Sequence, residues 1–439
     1  MLTAKVRKFG SLVLLLPVLA GCGADAGGKV AKEPEVKAAA EDTTPVTLRV
    51  FIGVGIEDKD IQLLFVDPLK KKYPHITIEP VRSGKGTTIQ ELVAAGQAPD
   101  LIYTWNGGLP TYQEFDLLYD MTPLVTKNKT DLGRFDKPVM ETLKAISDKG
   151  ELYALPFTIQ LNALYYNKDI FDRRGVAYPK DGMTWEDAME LAKKLSHKEG
   201  TVQYRGLGPE TIVRLSAPYN LTYIDSKTGK ASINSDGWRR VFEMAKSIYA
   251  IPNNTTPNLL AYNEKPAFLK DQNLAMLGTI NLLPQLEDAG NKGLNWDVAQ
   301  YPSYKDRPNI SGIVDVHVMG ITKTSKYKEQ GMKVIEVITS EEVQTLSARA
   351  TARISSLNNK EIQKQLGADM AFLRGKHLEA FFQSAAVPAA VRSQFEDINT
   401  EPYKAVMQSF KDFFEGKDIN TALREAEEKI NLFMDGRKK

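Results

Sequence analysis

The sequence predicts an α/β fold. Three observations lead there: strand-like alternation opening at Val46, helical spacing directly after it, and two further apolar strand segments separated by a second helical stretch. Val46, Leu48, Val50 and Ile52 point one way, with Thr47, Arg49 and Phe51 between them, as on a strand. From Asp60 to Tyr73 the apolar positions Ile61, Leu64, Phe65 and Leu69 recur at helical spacing; Pro68 should kink or restart this helix and Pro74 should stop it. Ile76, Ile78 and Val81 mark a second strand, Thr88 to Gly96 a short helix, and Leu101, Ile102 and Tyr103 a third strand. A β-α-β-α-β order implies a parallel sheet with right-handed crossovers.

In such sheets ligands bind outside the carboxyl ends of the strands. Here those ends are Gly53 to Asp58, Ser83 to Thr88 and Thr104 to Gly108, rich in Gly, Thr, Asn and Asp and carrying one tryptophan. They make a polar cleft wall, with Trp105, Asn106 and Gly107 as candidate ligand contacts. Further helices follow. Thr184 caps one, with Asp187 three positions on as in a capping box. Ser235 is expected to cap another, which carries Trp238, Val241, Phe242, Ala245 and Tyr249. Asn420 is expected to start the last, with Leu423, Ala426, Ile430 and Phe433 at helical spacing. Trp185, Trp238 and Trp296 fall within helix or strand patterns and read as core.

The N-terminus has a different character. Lys5, Arg7 and Lys8 precede Leu12 to Leu16, then Pro17 and the small residues Ala20 and Gly21. Basic, apolar and small in that order is a secretory signal peptide, too short for a permanent bilayer-spanning helix. It ends on Cys22, the single cysteine of the chain. Leu19-Ala20-Gly21-Cys22 resembles the lipobox of bacterial lipoproteins, which implies that Cys22 is lipid-modified and becomes the mature N-terminus. Residues 1–22 are thus expected to be the signal peptide ending at the lipid attachment site. Residues 23–44 contain no aromatic residue and are dominated by Ala, Gly, Lys and Glu. They cannot bury enough apolar surface to offset their ordering, so they are expected to be a flexible tether.

Composition narrows the function. At 439 residues, 42% hydrophobic and 26% charged, the chain has an ordinary globular balance and room for two or three domains. With no cysteine after Cys22, disulfides, a Cys nucleophile and thiolate metal sites are excluded from the body. A net charge of +2 without a Lys/Arg block gives no pull toward nucleic acid. His75, His197, His317 and His377 lack metal-ligand spacing, and no Gly-x-Ser-x-Gly elbow occurs. Around Ser83-Gly84-Lys85-Gly86, Glu79 and Gly86 break the P-loop pattern. No enzyme, metal or cofactor is expected.

Several segments together resemble the extracellular solute-binding proteins of carbohydrate ABC importers, the maltose-binding-protein-like family. Gly150 to Phe157 running on to Tyr165 to Phe171 carries most of the likeness. Thr184 to Asp187, Ala267 to Met276 and Tyr301-Pro302 follow in order. The resemblance implies a bilobed periplasmic-binding-protein-like fold of two discontinuous α/β lobes with a three-crossing hinge. Residues 45–157 with 303–338 would form the N-terminal lobe, and residues 158–302 with 339–439 the C-terminal lobe. The crossings would fall near Thr158 to Asn162, Val298 to Pro302 and Thr339 to Glu342.

It also implies site residues. Gln160 falls where the family often places a cleft-facing polar residue; the competing reading is a solvated hinge residue. Tyr403 falls where an aromatic stacking residue occurs in the maltose-binding branch. Asn281 and Leu282 follow Ala275-Met276 where the family commonly carries a stacking tryptophan, a departure that weighs against maltose-like specificity; Asn281 is the ligand candidate there. Asp315 and His317 occupy a stretch that is usually small and Gly-rich, and read either as ligand contacts or as satisfied polar groups on a strand.

The function implied is a lipid-anchored, extracytoplasmic, monomeric receptor at the cell membrane. It would capture a saccharide, an oligosaccharide by preference, and deliver it to an ABC transporter permease. Two other classes stay open: a receptor for a charged solute such as a polyamine, a uronate saccharide or a metal chelate, and a sensory lipoprotein reporting to a signalling partner.

Overall fold

The alternating segment at Val46 forms strand β1 (Val46–Ile52), followed by β2 (Ile76–Arg82) and β3 (Leu101–Trp105). The third strand thus runs two residues further than its apolar run and takes in Trp105. These elements come from a computed structural model that describes residues 43–256, 259–260, 264–397 and 400–437. The described residues from Thr44 onward form one compact unit. The expected signal peptide, Cys22 and nearly all of the tether lie outside the described residues.

Strands β4 (Leu155–Gln160), β5 (Ala163–Asn167), β6 (Met276–Thr279), β7 (Trp296–Gln300), β8 (Ile310–Ile313), β9 (Asp315–Ile321), β10 (Ile354–Ser355) and β11 (Ala385–Val387) follow. Six of these strands make one sheet in the order β10-β4-β9-β3-β1-β2. The expected parallel block is present, since β1 pairs in parallel with both β2 and β3. The rest of the sheet is antiparallel: β9 returns between β3 and β4. A second sheet has the order β6-β5-β7, and β8 pairs with β11.

The six-stranded and the three-stranded sheet pack into separate cores, so the protein is bilobed. Leu48, Val50, Phe65, Tyr103, Phe157, Val318 and Ile335 belong to the first core. Trp185, Trp238, Phe242, Tyr301 and Phe410 belong to a second, and Tyr165, Phe268, Leu277, Trp296 and Phe381 to a third beside it. The chain leaves the first sheet after Gln160 and enters the second at Ala163, with only Leu161 and Asn162 between. After Ile338 the chain serves both lobes. Val343, Ala348, Leu357 and Ile362 lie in the first core, Ala352 and Ile354 in the third.

Local chemistry explains most helix ends. Thr88 and Glu91 form a capping box at helix Ile89–Ala94, and Thr184 and Asp187 form another at Trp185–Leu195. Between Asp58 and Lys72 the helix is interrupted and restarts around Pro68, as expected. A π-helical turn over Gln62–Val66 precedes Asp67–Lys72, where Pro68 sits in the first turn and loses no needed N–H. Two expected caps differ. The Ser235 side chain makes no capping bond to helix Asp236–Tyr249. The last helix starts at Ile419 rather than Asn420, because Asp418 Oδ1 accepts from the N–H of Thr421. Among the described residues, no helix is long and apolar enough to cross a membrane.

Candidate functional site

The antiparallel return of β9 builds the site. Because β9 runs against β3 and β4, its first residues lie at the carboxyl ends of those strands. His317 pairs with Trp105, and Asp315 pairs with Gln160. Trp105, Gln160 and Asp315 therefore gather from three separated segments. Across from them, Thr211 and Arg214 come from the start of helix Ile212–Ser216, Arg392 and Glu396 from the stretch before the last two helices, and Tyr403 from the first turn of helix Glu401–Phe414. Together they enclose a chamber of about 160 Å³.

Each wall has a local reason. The Trp105 ring lies over the backbone at Gly107; a Cβ there would overlap Cη2, Cζ3 and Cζ2 of the indole, so glycine is what lets the ring settle. The Thr211 side chain caps its helix by accepting from the N–H of Arg214 (3.0 Å). Arg214 Nε donates to Glu210 Oε2 (2.8 Å), and Lys265 Nζ lies 2.9 Å from Glu210 Oε1. Burial pushes the Glu210 carboxyl up, but the two cations overcome it and bring it down to about 2. Burial likewise works against the Arg214 charge, and Glu210 and Asp315 outweigh it. Asp315 is half-buried, and burial raises its carboxyl against the opposing pull of Arg214 and Arg392.

Glu396 is buried and holds a fixed pose. Its Oε1 accepts from the backbone N–H groups of Tyr223 (2.7 Å) and Ile224 (2.6 Å), and its Oε2 lies 3.8 Å from Arg392 Nη1. Burial pushes this carboxyl up to about 6. Arg392 also faces outward, where it borders an open groove of about 960 Å³ with Tyr153, Glu151 and Phe395 on its walls. Gln160 and Asp315 border a further cavity of about 210 Å³, lined also by Asp136 and Phe382.

Of the residues singled out in the sequence, Trp105, Gln160, Asp315 and Tyr403 thus line one chamber. The others are placed elsewhere. Asn106 is buried; its Oδ1 accepts from Val316 N–H (2.9 Å) and its Nδ2 donates to Val314 O (3.2 Å), so its amide serves β9. Gly107 supports the Trp105 ring. Asn281 is buried, with Nδ2 donating to Ala352 O (2.8 Å) and Oδ1 accepting from Leu283 N–H (3.0 Å). His317 Nδ1 lies 3.0 Å from the Tyr103 hydroxyl, and burial, aided by Arg353, pushes the imidazole down to about 3. The last two are satisfied inside the protein rather than presented to the chamber. Of the three strand ends, only that of β3 reaches the chamber.

Sequence reasoning missed Asn162, Thr211, Arg214, Arg392 and Glu396. Thr211 carried a readable signal, a cap before an apolar turn. Arg392 and Glu396 lie where no periodicity marks them. No group of His, Cys, Asp or Glu among the described residues could hold a metal ion.

The chain resembles several known proteins. It is 24% identical over 268 residues to the multiple sugar-binding protein of Streptococcus mutans, covering 60% of this chain and 55% of that one. A Brucella abortus binding protein matches at 27% over 203 residues, 43% of this chain and 47% of its own. The chain thus spans about half the length of the relatives it matches by sequence. In structure it is similar to an ABC substrate-binding protein of Listeria monocytogenes in complex with cycloalternan: TM-score 0.71, 21% identity, 89% of this chain and 99% of that one. The sugar-binding protein MalE of Xanthomonas citri gives TM-score 0.68 at 19% identity, over 90% and 98%. These two likenesses establish the fold. The family described as bacterial extracellular solute-binding protein matches residues 65–371, well over half of the chain, and to that family this protein belongs.

Proposed function

We propose that this protein is an extracytoplasmic receptor that captures a carbohydrate, an oligosaccharide, and delivers it to an ABC transporter permease. The observation that carries the reading is the chamber's mixture of surfaces. Trp105 offers an apolar ring face for the CH patches of a sugar, with the buried Tyr403 of the second core bordering the same chamber, while Gln160, Asn162 and Asp315 offer partners for its hydroxyls. The chamber is smaller than the roughly 300–1,000 Å³ of a typical ligand pocket, and Arg392 borders both it and the much larger outer groove. A ligand of more than one ring would have one end in the chamber and reach past Arg392 toward the groove.

The division of the lobes belongs to the same proposal. Residues 45–157 with 303–338, and 158–302 with 339–439 apart from the 343–362 stretch that packs in both cores, would close about the short link at Leu161–Asn162 when ligand bridges them. The closed form is then the signal read by the permease. Anchoring would come from lipid on Cys22, and binding rather than catalysis would be the activity. Isothermal titration against a panel of neutral oligosaccharides, with small-angle scattering of the same complexes, tests the reading. Saturable binding with a smaller radius of gyration is expected. A panel without any binder would refute it.

A further inference from the structure

Two side chains on the chamber wall carry unmatched acceptors. Asn162 Nδ2 donates to Ser311 O (2.6 Å), which fixes the amide so that Oδ1 is its other end. That oxygen is buried and has no hydrogen-bond partner among the described residues. Glu396 is alike. Two backbone N–H groups hold Oε1, whereas Oε2 is buried without a hydrogen bond among the described residues, and the side chain is only 1% exposed. Arg392 at 3.8 Å is close enough for charge attraction but not for a hydrogen bond. Buried acceptors left unmatched are costly, so a ligand that supplies donors is favoured there.

The cations of the chamber do not reverse this preference. Arg214 Nε is bonded to Glu210, and Arg392 lies 3.8 Å from Glu396, so each guanidinium has a carboxylate beside it. Asp315 and Asp397 add further carboxylates to the wall. An acidic ligand would bring negative charge to a wall whose three carboxyl groups, Asp315, Glu396 and Asp397, outnumber its two guanidinium groups. Sugar hydroxyls can donate.

We propose that Asn162 Oδ1 and Glu396 Oε2 select the enclosed end of the ligand by accepting hydrogen bonds from its hydroxyls, so that the receptor takes neutral saccharides and rejects acidic ones. This rests on the carbohydrate reading above and narrows it to a ligand class. Glu396→Gln sharpens the point. The two backbone N–H groups require an oxygen, so the amide oxygen takes the place of Oε1 and the NH₂ takes the place of Oε2. One acceptor becomes a donor with little change of shape.

The experiment is isothermal titration of the parent and Glu396→Gln with neutral oligosaccharides and uronate counterparts, β-1,4-mannotriose against β-1,4-trimannuronate among them. Melting curves of both proteins show that the variant folds. The parent is expected to bind a neutral saccharide at least tenfold more tightly than its uronate counterpart. Glu396→Gln should weaken the neutral ligand about tenfold and narrow that gap. A parent that prefers the uronate overturns the selection rule while leaving the carbohydrate reading intact, and so does a folded variant with unchanged preference. Should the variant not fold, the parent's preference alone decides. If neither class binds, the carbohydrate reading fails and the selection rule falls with it.

Discussion

Asn106 brackets Asp315: its amide accepts from the N–H of Val316 at 2.9 Å and donates to the carbonyl of Val314 at 3.2 Å, the residues on either side of the aspartate. The side chain that follows Trp105 in sequence therefore sets the backbone that presents Asp315 to the chamber. Asn106→Ala should lose both bonds and leave two backbone groups without their partner, costing about 1–3 kcal/mol of stability. Ligand affinity should fall as well, because Asp315 is no longer held. Denaturant melts with titration of the bound saccharide would check this; unchanged affinity in a destabilised variant would confine Asn106 to a structural role.

Trp105 should matter for binding and little for folding. Its ring lies half-buried on the chamber wall, over Gly107. Trp105→Ala is expected to weaken saccharide binding by about 1–3 kcal/mol while the unliganded fold persists. Gly107→Ala should act in the same direction without removing the ring, because the new methyl takes the space the indole occupies. If Gly107→Ala binds like the parent, the ring's seat on the glycine is not what orients it.

Trp238 should show the opposite pattern. It is fully buried in the second core, and its indole N–H donates to Thr222 O (2.9 Å). Trp238→Ala should cost about 3–5 kcal/mol of stability. Whatever fraction folds should bind ligand normally. A selective loss of affinity at preserved stability would contradict this placement.

Glu396 gives the protein a pH dependence of known sign. Burial raises its carboxyl from the ordinary 4.5 to about 6, against Arg392 and the N–H groups of Ile224 and Tyr223. Between those values the unfolded chain has released its proton while the folded one retains it. Stability from this group is therefore fully present below about pH 4.5 and is lost as pH rises through about 6. The loss amounts to about 2 kcal/mol. Glu396→Gln does not titrate, so its stability relative to the parent should climb across that window and level off above it. Urea melts over pH 4 to about 8 would show this; a constant offset would count against the buried carboxyl.

Cys22 bears on location. Cys22→Ala should shift the protein from the membrane fraction into the medium or periplasm, read by fractionation after a high-salt wash. Retention on the membrane would remove the lipid-anchor proposal.

Local patterns were enough for much of the fold. Alternation at Val46–Ile52, the short helix after Thr88, the capping box at Thr184, and the core positions of Trp185, Trp238 and Trp296 were all legible, because each depends on neighbours a few residues away. The cap at Asp418 and the π-helical turn at Gln62–Val66 were not, since small shifts of helix start and winding follow from packing. Trp105 was readable as a chamber residue from its place at a strand's carboxyl end. The rest of the site came from tertiary structure. Asp315 meets Gln160 only because β9 inserts antiparallel between β3 and β4, a register that the short-range pattern around Asp315 does not contain. His317, two residues on, carries the same kind of polar signal and is turned instead to Tyr103. Arg392 and Glu396 lie in a stretch without strand or helix period, and Glu396 is fixed by the backbone of Tyr223 and Ile224, more than 170 residues earlier. Sequence spacing determines which faces are apolar; which polar groups converge on one chamber is decided by long-range pairing, whose register no local segment encodes.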